Sequence, residues 1–326
     1  MKPIKVVIAA AAAAALCSVA PAALAQAASY PGKPIRMIVP FTPGSATDVM
    51  GRLVGAQLTA AWGQPVIVEN KPGAGGSMGI RETARAEPDG YTVVIVSSGH
   101  AVNHVLYKDL GYDTLKDFAG VALLGSLPSV LIVPPSLGVK TVKELVEAAK
   151  AKPGEFNYAT AGVGSGAHVS IEKFNVATGI KAVHVPLKGT PPILTETMAG
   201  RVQYAYVPAV SGMGIIKDGK VTPLAVSTRK RIDALPNVPT IAEAGYPDAE
   251  NTFWVAMLAP AKTPRDIVAK LNAEVNRALQ APEMKERLAK LGTESMAMTP
   301  EEFDRFVASE YRELGDVMVK AGLKPQ

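Results

Sequence analysis

The chain has 326 residues, 48% of them hydrophobic and 19% charged, which predicts a globular protein with a sizeable core and excludes a disordered one. The formal charge of +5 is spread along the sequence. The only dense basic run, Arg229–Arg231, has no aromatic residues interleaved with it, so nucleic-acid binding is not expected.

The N-terminal segment has the pattern of an export signal. Lys2 and Lys5 precede an apolar, alanine-rich run over residues 6–19, and Ala23–Ala25 supplies an A-x-A cleavage site. We therefore predict a signal peptide over residues 1–25, with cleavage as late as residue 28 as the alternative. The single cysteine, Cys17, lies within this peptide, so the mature chain is expected to have no disulfide and no thiolate chemistry.

From residue 35 onward, short apolar runs typical of strands alternate with segments that have helical periodicity. Strands are predicted at residues 35–39, 66–69, 92–96, 121–124, 130–133, 156–159, 183–186, 202–207, 223–227 and 253–258. Helices are predicted at residues 46–61, 78–86, 141–151, 167–178, 192–199, 210–217, 264–279, 282–291 and 299–321. Sequences of the capping-box type begin at Thr141, Thr240 and Thr299. The alternation predicts an α/β fold with parallel-rich sheets, in two lobes.

Three small, glycine-bearing turns each follow a predicted strand and open a predicted helix: residues 40–48, 73–77 and 160–168. The bare N–H groups and the dipole of a helix N-terminus favour an anion at such a turn. Ligands of open α/β sheets bind at the carboxyl ends of the strands, so we expect the three turns to line one cleft. A nucleotide P-loop would end in Gly-Lys-Ser/Thr, and a dinucleotide site would have an acidic residue about 20 residues further on. These turns have neither, which argues against nucleotide binding.

The remaining chemistry-bearing residues give no catalytic pattern. His100 and His104 have the spacing of metal ligands on a helix but no nearby glutamate, so we expect cleft-lining or surface histidines, and neither a metal nor a cofactor. Ser165 and His168 lie one helical turn apart, which suits two donors to one anion or a nucleophile–base pair. No orienting carboxylate is evident, and an exported Ser/His hydrolase stays an alternative.

Several motifs in order along the chain are shared with one known family. They are Val39–Phe41 with Gly44 and Asp48, Glu69–Gly76, Asp89–Thr92, His184–Pro186 with Lys188 and Gly189, and Leu235–Thr240 with Glu243–Gly245. On these motifs the mature chain closely resembles the tripartite tricarboxylate transporter receptors, or Bug family, of periplasmic solute-binding proteins.

The resemblance implies a type II periplasmic-binding-protein fold, in which two lobes and a hinge enclose a ligand cleft. The first lobe is expected to comprise residues 29–130 and 253–326, and the second residues 131–252. The implied function is a periplasmic receptor, with no enzymatic activity, that binds a small carboxylate and delivers it to the inner-membrane subunits of a tripartite permease. A monomer is expected, and presentation of the ligand to a membrane sensor kinase is the alternative.

The resemblance also assigns ligand-binding residues. In the first lobe they lie in the first two turns and after the third strand, and in the second lobe in the glycine-rich turn, a basic turn and the end of a strand. The residues are Phe41, Thr42, Gly44, Ser45, Ala46, Thr47, Ala74, Gly75, Gly76, Ser77, Ser98, Thr160, Gly164, Ser165, His168, Lys188, Val207 and Pro208.

Two departures from the family pattern bear on the ligand. The family often has glycine where this chain has Ser45, which adds a side chain beside the carboxylate site. It also often has an aspartate near the end of the strand that here reads Tyr204–Pro208. Without that carboxylate an ammonium group has no partner, so we expect a non-amino dicarboxylate, aliphatic or aromatic.

Overall fold

The computed structural model describes residues 30–290 and 292–325. The predicted signal peptide lies outside the described residues. In the part of the chain that is described, no helix is both long enough and apolar enough to cross a membrane.

Strands and helices alternate along the chain, as the periodicity predicts. The strands are β1 (Ile35–Val39), β2 (Val66–Asn70), β3 (Thr92–Ser97), β4 (Phe118–Leu127), β5 (Ser129–Val133), β6 (Asn157–Thr160), β7 (Val183–Pro186), β8 (Tyr204–Pro208), β9 (Thr222–Val226) and β10 (Phe253–Pro260). The helices are α1 (Ala46–Trp62), α2 (Ser77–Ala84), α3 (Asn103–Leu106), α4 (Val142–Ala151), α5 (Gly166–Thr178), α6 (Thr190–Met198), α7 (Ala209–Lys217), α8 (Arg265–Gln280), α9 (Pro282–Lys290) and α10 (Pro300–Lys320).

The first lobe is built on a sheet with the strand order β2-β1-β3-β10-β4. β1 pairs in parallel with β2 and β3, whereas β10 runs antiparallel to β3 and β4. β10 is buried along its whole length, and its first residue, Phe253, is paired with Leu127 of β4. The last strand of the chain is therefore inserted into the sheet that the first strands form.

The second lobe repeats this arrangement with the strand order β7-β6-β8-β5-β9. β6 pairs in parallel with β7 and β8, and β5 is the antiparallel strand between β8 and β9. In both lobes the parallel strands end at one edge, and their carboxyl ends are the positions where an α/β sheet presents a ligand site.

The chain passes between the two sheets twice. β4 of the first sheet and β5 of the second are separated by Pro128 alone, which has no N–H to donate to a sheet. The chain returns through residues 227–252 into β10. Asn251 lies in this return and donates its backbone N–H to Ser227 at 3.0 Å. These two crossings are the points about which the lobes can hinge.

Each lobe has its own hydrophobic core. Ile38, Val94 and Phe303 belong to the first-lobe core, which α5 of the second lobe also joins through Val169. The second sheet has a core on each face, because alternate side chains of a strand point to opposite faces. The α/β, two-lobed fold that the sequence predicts is confirmed.

The capping-box sequence at Thr240 does not begin a helix. Both hydrogen bonds of the box at Thr240 form: Glu243 N–H donates to the Thr240 hydroxyl at 3.0 Å, and Thr240 N–H donates to the Glu243 carboxylate at 2.8 Å. The chain nevertheless forms a turn there instead of a helix. Gly245, at a φ of +97°, and Pro247 follow within one turn, and they stop a helix before it can propagate.

Candidate functional site

The N-termini of four helices meet at one cavity between the lobes. α1 comes from the first lobe, and α5, α6 and α7 come from the second. The lining residues are Phe41, Ser45, Ala46, Thr47, Ser97, Ala161, Ser165, Gly166, Ala167, Thr190, Pro208 and Phe253. Because the first-turn N–H groups of a helix have no acceptor within the helix, this convergence creates a positive potential without any cationic side chain.

The turn before α1 is held by a buried carboxylate. The side chain of Asp48 accepts hydrogen bonds from the Gly44 N–H at 2.9 Å, from Arg52 Nε at 3.0 Å and from Asn70 Nδ2 at 2.8 Å. The same Asn70 amide donates to the carbonyl of Phe41 at 3.0 Å. Burial raises the pKa of Asp48, but the hydrogen bonds from Arg52, Gly44 and Asn70 outweigh burial and lower the pKa. Asp48 is therefore a charged anchor that fixes the shape of this turn.

The turn before α5 is held by neutral groups. The Ser165 hydroxyl caps the helix by accepting the His168 N–H at 3.2 Å, and the imidazole Nδ1 of His168 accepts the Gly164 N–H at 3.2 Å. At the start of the turn, the Thr160 hydroxyl lies 2.6 Å from Nε2 of His184. Within the described residues, no hydrogen bond joins the Ser165 hydroxyl to the His168 ring.

Behind this turn the aromatic rings form a largely buried stack. The His168 and His184 rings are parallel with centroids 4.5 Å apart, and Tyr158 stacks on the other face of His184 at 5.0 Å. Burial, and secondarily the neighbouring His184, lower the pKa of His168 to about 3. Burial also lowers the pKa of His184 to about 4. Both imidazoles are neutral near pH 7, so they act here as rigid hydrogen-bonding supports.

The turn over residues 73–77 lies beside the cavity. Gly76 packs on the Phe41 ring, where a β-carbon would meet ring atoms at 3.1 Å. Gly75, at a φ of +60°, faces the second lobe so closely that a β-carbon would lie 1.8 Å from the Val163 carbonyl oxygen. The turn therefore contacts the other lobe through its backbone, and only glycine fits there.

An ion-pair network fixes the position of that turn. Arg36 on β1 makes a bidentate contact with Glu69, at 2.9 and 2.8 Å, and also reaches Glu82 of α2 at 3.0 Å. Lys71 donates to Glu82 at 2.8 Å. Through these contacts Glu69 anchors the strand end from which the turn begins.

The expected site residues fall into groups according to where the structure places them. Phe41, Ser45, Ala46, Thr47, Ser165 and Pro208 line the cavity. The others lie outside the lining: Thr42, Gly44, Ala74, Gly75, Gly76, Ser77, Ser98, Thr160, Gly164, His168, Lys188 and Val207. Among these, Val207 belongs to a second-lobe core, and the exposed Lys188 contributes its carbonyl to Thr42 N–H at 3.2 Å. The ligand-binding role of both groups stays a prediction.

Some lining residues were not expected from the sequence. Ser97 and Phe253 lie at the ends of neighbouring strands β3 and β10, which come together although they are far apart in the chain. Ala161, Gly166 and Ala167 lie in the turn over residues 160–168 that was expected to line the cleft, but they and Thr190 were not among the residues assigned to the ligand. A signal was present for Thr190, because it follows the Lys188–Gly189 motif directly and opens α6.

One buried hydroxyl in the lining lacks a hydrogen-bond partner within the described residues. Thr47, 2% exposed, has no hydrogen-bond partner for its Oγ1 within the described residues. The Ser45 hydroxyl accepts the Thr190 N–H across the cleft at 3.3 Å. In this structure the cavity has a volume of about 20 Å³, the space of about one water molecule.

The histidines with metal-like spacing lie elsewhere. His100 is buried against Tyr112 and Phe118, and burial lowers its pKa to about 4. His104 stacks on Tyr311 with ring centroids 3.5 Å apart. Within the described residues there is no cluster of three or more side chains that would hold a metal ion.

Two lobes joined by crossing strands, with helix N-termini from both lobes around a central cavity, define a periplasmic-binding-protein fold. Comparison with known proteins gives the family. The family model described as "Tripartite tricarboxylate transporter family receptor" matches residues 50–323. The chain therefore belongs to the tripartite tricarboxylate transporter receptor family, and the resemblance read from the sequence motifs is confirmed.

Individual relatives match over nearly the full length. Protein BugT of Bordetella pertussis is 37% identical over 307 residues, which cover 93% of this chain and 94% of BugT. The solved structure of R. palustris Rpa4515 with adipate has a TM-score of 0.88 at 34% identity, covering 91% of this chain and 100% of that one. MatC (Rpa3494) from Rhodopseudomonas palustris with bound malate has a TM-score of 0.84 at 33% identity, covering 88% and 99%.

Proposed function

We propose that this protein is an exported, non-catalytic receptor that binds a non-amino dicarboxylate between its lobes and delivers it to a tripartite permease. The observation that carries the proposal is the convergence of helix N-termini from both lobes on a cavity whose lining residues are all uncharged. Membership of the receptor family and the carboxylates bound by two related proteins support it.

The geometry favours a ligand with an anionic group at each end. α1 of the first lobe and α5, α6 and α7 of the second approach the cavity from opposite sides. A carboxylate is a planar acceptor that backbone N–H groups recognise by direction, and a helix dipole stabilises its charge. The unpartnered Thr47 hydroxyl adds one donor on the first-lobe side. Each lobe can therefore hold one carboxylate, and a ligand that spans both favours closure.

The lining argues against an amino-acid ligand. An ammonium group removed from water needs an acceptor of opposite charge, and burying it without one is costly. The end of β8, where the sequence lacks an aspartate, contributes Pro208 to the lining, while Tyr204 and Tyr206 point into a second-lobe core. Phe41, Pro208 and Phe253 give the lining apolar surfaces, which would suit a hydrocarbon chain or ring between two carboxylates.

Isothermal titration calorimetry with two matched ligands tests the proposal. Glutarate and glutamate have the same carbon skeleton and differ by one ammonium group. We expect glutarate, adipate or malate to bind and glutamate to bind at least about tenfold more weakly than glutarate, since its ammonium group is left unpaired. Tight binding of glutamate together with no binding of glutarate, adipate or malate would overturn the assignment.

Turnover and delivery need separate measurements. If the protein is a receptor, the ligand recovered after long incubation is chemically unchanged in an NMR spectrum, whereas hydrolysis of an ester or amide probe would show catalysis. Deletion of the gene should abolish uptake of the ligand. Normal uptake with loss of ligand-induced reporter expression would instead indicate a partner of a sensor kinase.

A further inference from the structure

Where the lobes meet, outside the cavity lining, they contact each other through backbone atoms. Gly99 lies in a 3₁₀ turn (Ser98–Ala101) of the first lobe, directly after β3. A β-carbon on Gly99 would lie 2.1 Å from the Gly164 carbonyl oxygen, 2.7 Å from the Ser165 carbonyl carbon and 2.8 Å from the Gly166 nitrogen. All three atoms belong to the second lobe, so Gly99 allows an approach that no other residue permits.

The same second-lobe turn accepts hydrogen bonds from the first lobe. The Tyr107 hydroxyl donates to the Val163 carbonyl at 2.7 Å. The Asn103 amide is assigned so that its nitrogen donates to the carbonyls of Gly164 and Gly99, at 3.1 and 3.2 Å, and its oxygen accepts from the Tyr112 hydroxyl at 3.2 Å. The opposite orientation would point its oxygen only at acceptors. Asn103 thus ties the two turns together.

We propose that Gly99, Asn103 and Tyr107 form a closure seam with residues 162–166, and that this seam sets how readily the lobes close. None of the three first-lobe residues lines the cavity. Their effect on affinity is therefore indirect. A receptor that closes less often binds its ligand more weakly, and its apparent dissociation constant rises in proportion to the loss of the closed form. They are positioning residues for the turn that carries Ser165.

The seam is suited to reporting closure because the contacts of Gly99, Asn103 and Tyr107 with residues 163–166 each join one lobe to the other. Gly99 does not have a positive φ, so alanine fits its backbone conformation. The nearest atoms to the added methyl group come from the other lobe, so Gly99→Ala should obstruct the approach of the two turns, and its unfolding temperature shows whether packing within the lobes changes as well. Gly214→Ala is the matched control, since Gly214 is an exposed helical glycine of α7 whose added β-carbon meets nothing within 4 Å.

Cross-linking across the cleft mouth measures closure without any ligand. Pro43 and Lys188 are both exposed, and the Thr42–Lys188 hydrogen bond of 3.2 Å brings their segments together. Both are changed to cysteine in the full chain, in a Cys17→Ser background, and a short bis-maleimide is added. We expect Gly99→Ala to slow cross-linking at least about tenfold and Gly214→Ala to leave the rate unchanged, because overpacking at Gly99 opposes only the closed form.

The closure seam and the ligand assignment can fail separately in these experiments, although the expected effect of the seam on affinity rests on the proposed function. If the double-cysteine protein cross-links at the same rate with and without Gly99→Ala, whether rapidly or undetectably, the seam does not control closure. Slower cross-linking in Gly99→Ala, in a protein that binds no dicarboxylate, would support the seam and refute the ligand assignment. An unchanged unfolding temperature for Gly99→Ala confirms that the effect is on closure and not on folding.

Tyr107→Phe provides a milder test, because it removes one hydroxyl and keeps the ring. We expect slower cross-linking by about 2- to 10-fold, the effect of one hydrogen bond, and faster release of bound glutarate or adipate in stopped-flow experiments. Tyr112→Phe removes a hydroxyl that donates to Asn103 within the first lobe, so it should slow closure less than Tyr107→Phe does. Equal effects of Tyr107→Phe and the Tyr112 variant would argue against a direct role for the Tyr107–Val163 bond.

Discussion

The two turns that line the cavity have the same shape and are held in place by different chemistry. Residues 41–48 of the first lobe are fixed by the buried, ionised Asp48, with Arg52 and Asn70 around it. Residues 160–168 of the second lobe are fixed by neutral groups, chiefly the His168 and His184 imidazoles. The comparison shows that the same kind of glycine-bearing turn can be supported by a charge network or by an uncharged, largely buried stack. It also predicts that the two lobes respond differently to substitution and to pH.

The largest effect is expected at the charged turn. Asp48→Ala removes the carboxylate that accepts hydrogen bonds from Gly44, Arg52 and Asn70. We expect a loss of about 2–4 kcal/mol in the free energy of unfolding, measured by urea denaturation, and weaker ligand binding. Asp266→Ala is the control, because Asp266 is an exposed aspartate in the first turn of α8. Equal losses for the two variants would show that Asp48 is not a special anchor.

At the neutral turn, acidification should lower the free energy of unfolding by about 2 kcal/mol. Because burial holds the pKa of His168 at about 3, the unfolded chain takes up a proton there below about pH 6.5 and the folded chain does not. The contribution of His168 to the free energy of unfolding is therefore complete above about pH 6.5. It decreases as the pH falls toward 3, and about 2 kcal/mol of it is lost at pH 5. His184 and Glu172 are the titratable groups that face the His168 ring.

Urea unfolding of His168→Gln at about pH 7.5 and about pH 5 measures this contribution. We expect the variant to be less stable than the wild type at the higher pH and to lose less stability on acidification. Asn272→Ala removes a buried side chain that does not titrate, so its stability curve should run parallel to that of the wild type. A parallel curve for His168→Gln as well would contradict the assignment of a buried neutral imidazole.

A smaller effect, of about 1 kcal/mol on stability, is expected for the helix cap that faces the cavity. Ser165→Ala and Thr141→Ala each remove a hydroxyl that caps a helix by accepting a backbone N–H, and each should lower the unfolding free energy by a similar amount. Only Ser165 lines the cavity, so only Ser165→Ala should weaken dicarboxylate binding, by about 1–3 kcal/mol in calorimetry. Unchanged affinity would remove Ser165 from the ligand site.

The smallest effect is expected for the ion-pair network beside the first-lobe turn. The side chains of Arg36, Lys71 and Glu82 are each more than a third exposed, so water and salt screen their attraction. Glu82→Gln should therefore lower the unfolding free energy by less than about 1 kcal/mol, and by still less at high salt. Glu286→Gln, at an exposed pair with Lys290 in α9, serves as the control. If Glu82→Gln lost as much unfolding free energy as Asp48→Ala, exposed and buried charges would stabilise the fold equally, contrary to this prediction.

The sequence was sufficient to predict the fold and two of the three turns as parts of the cavity. Strand and helix periodicity and caps such as Thr141 and Thr299 are local, so they can be read from neighbouring residues. The box at Thr240 shows the limit of such signals, because its hydrogen bonds formed without a helix. The glycine turn at 73–77 was predicted as an anion cradle, and in this structure it contacts the other lobe beside the cavity.

The order of elements, the turn chemistry and the family therefore follow from the residues alone, since each depends on short-range preferences and recurring motifs. The lining of the cavity does not, because Ser97 and Phe253 meet only after β10 returns to the first sheet. The same holds for the contact of Gly99 with Gly164, which is set by the approach of two lobes. Contacts between residues distant in sequence depend on the packing of whole sheets, and no local pattern encodes that packing.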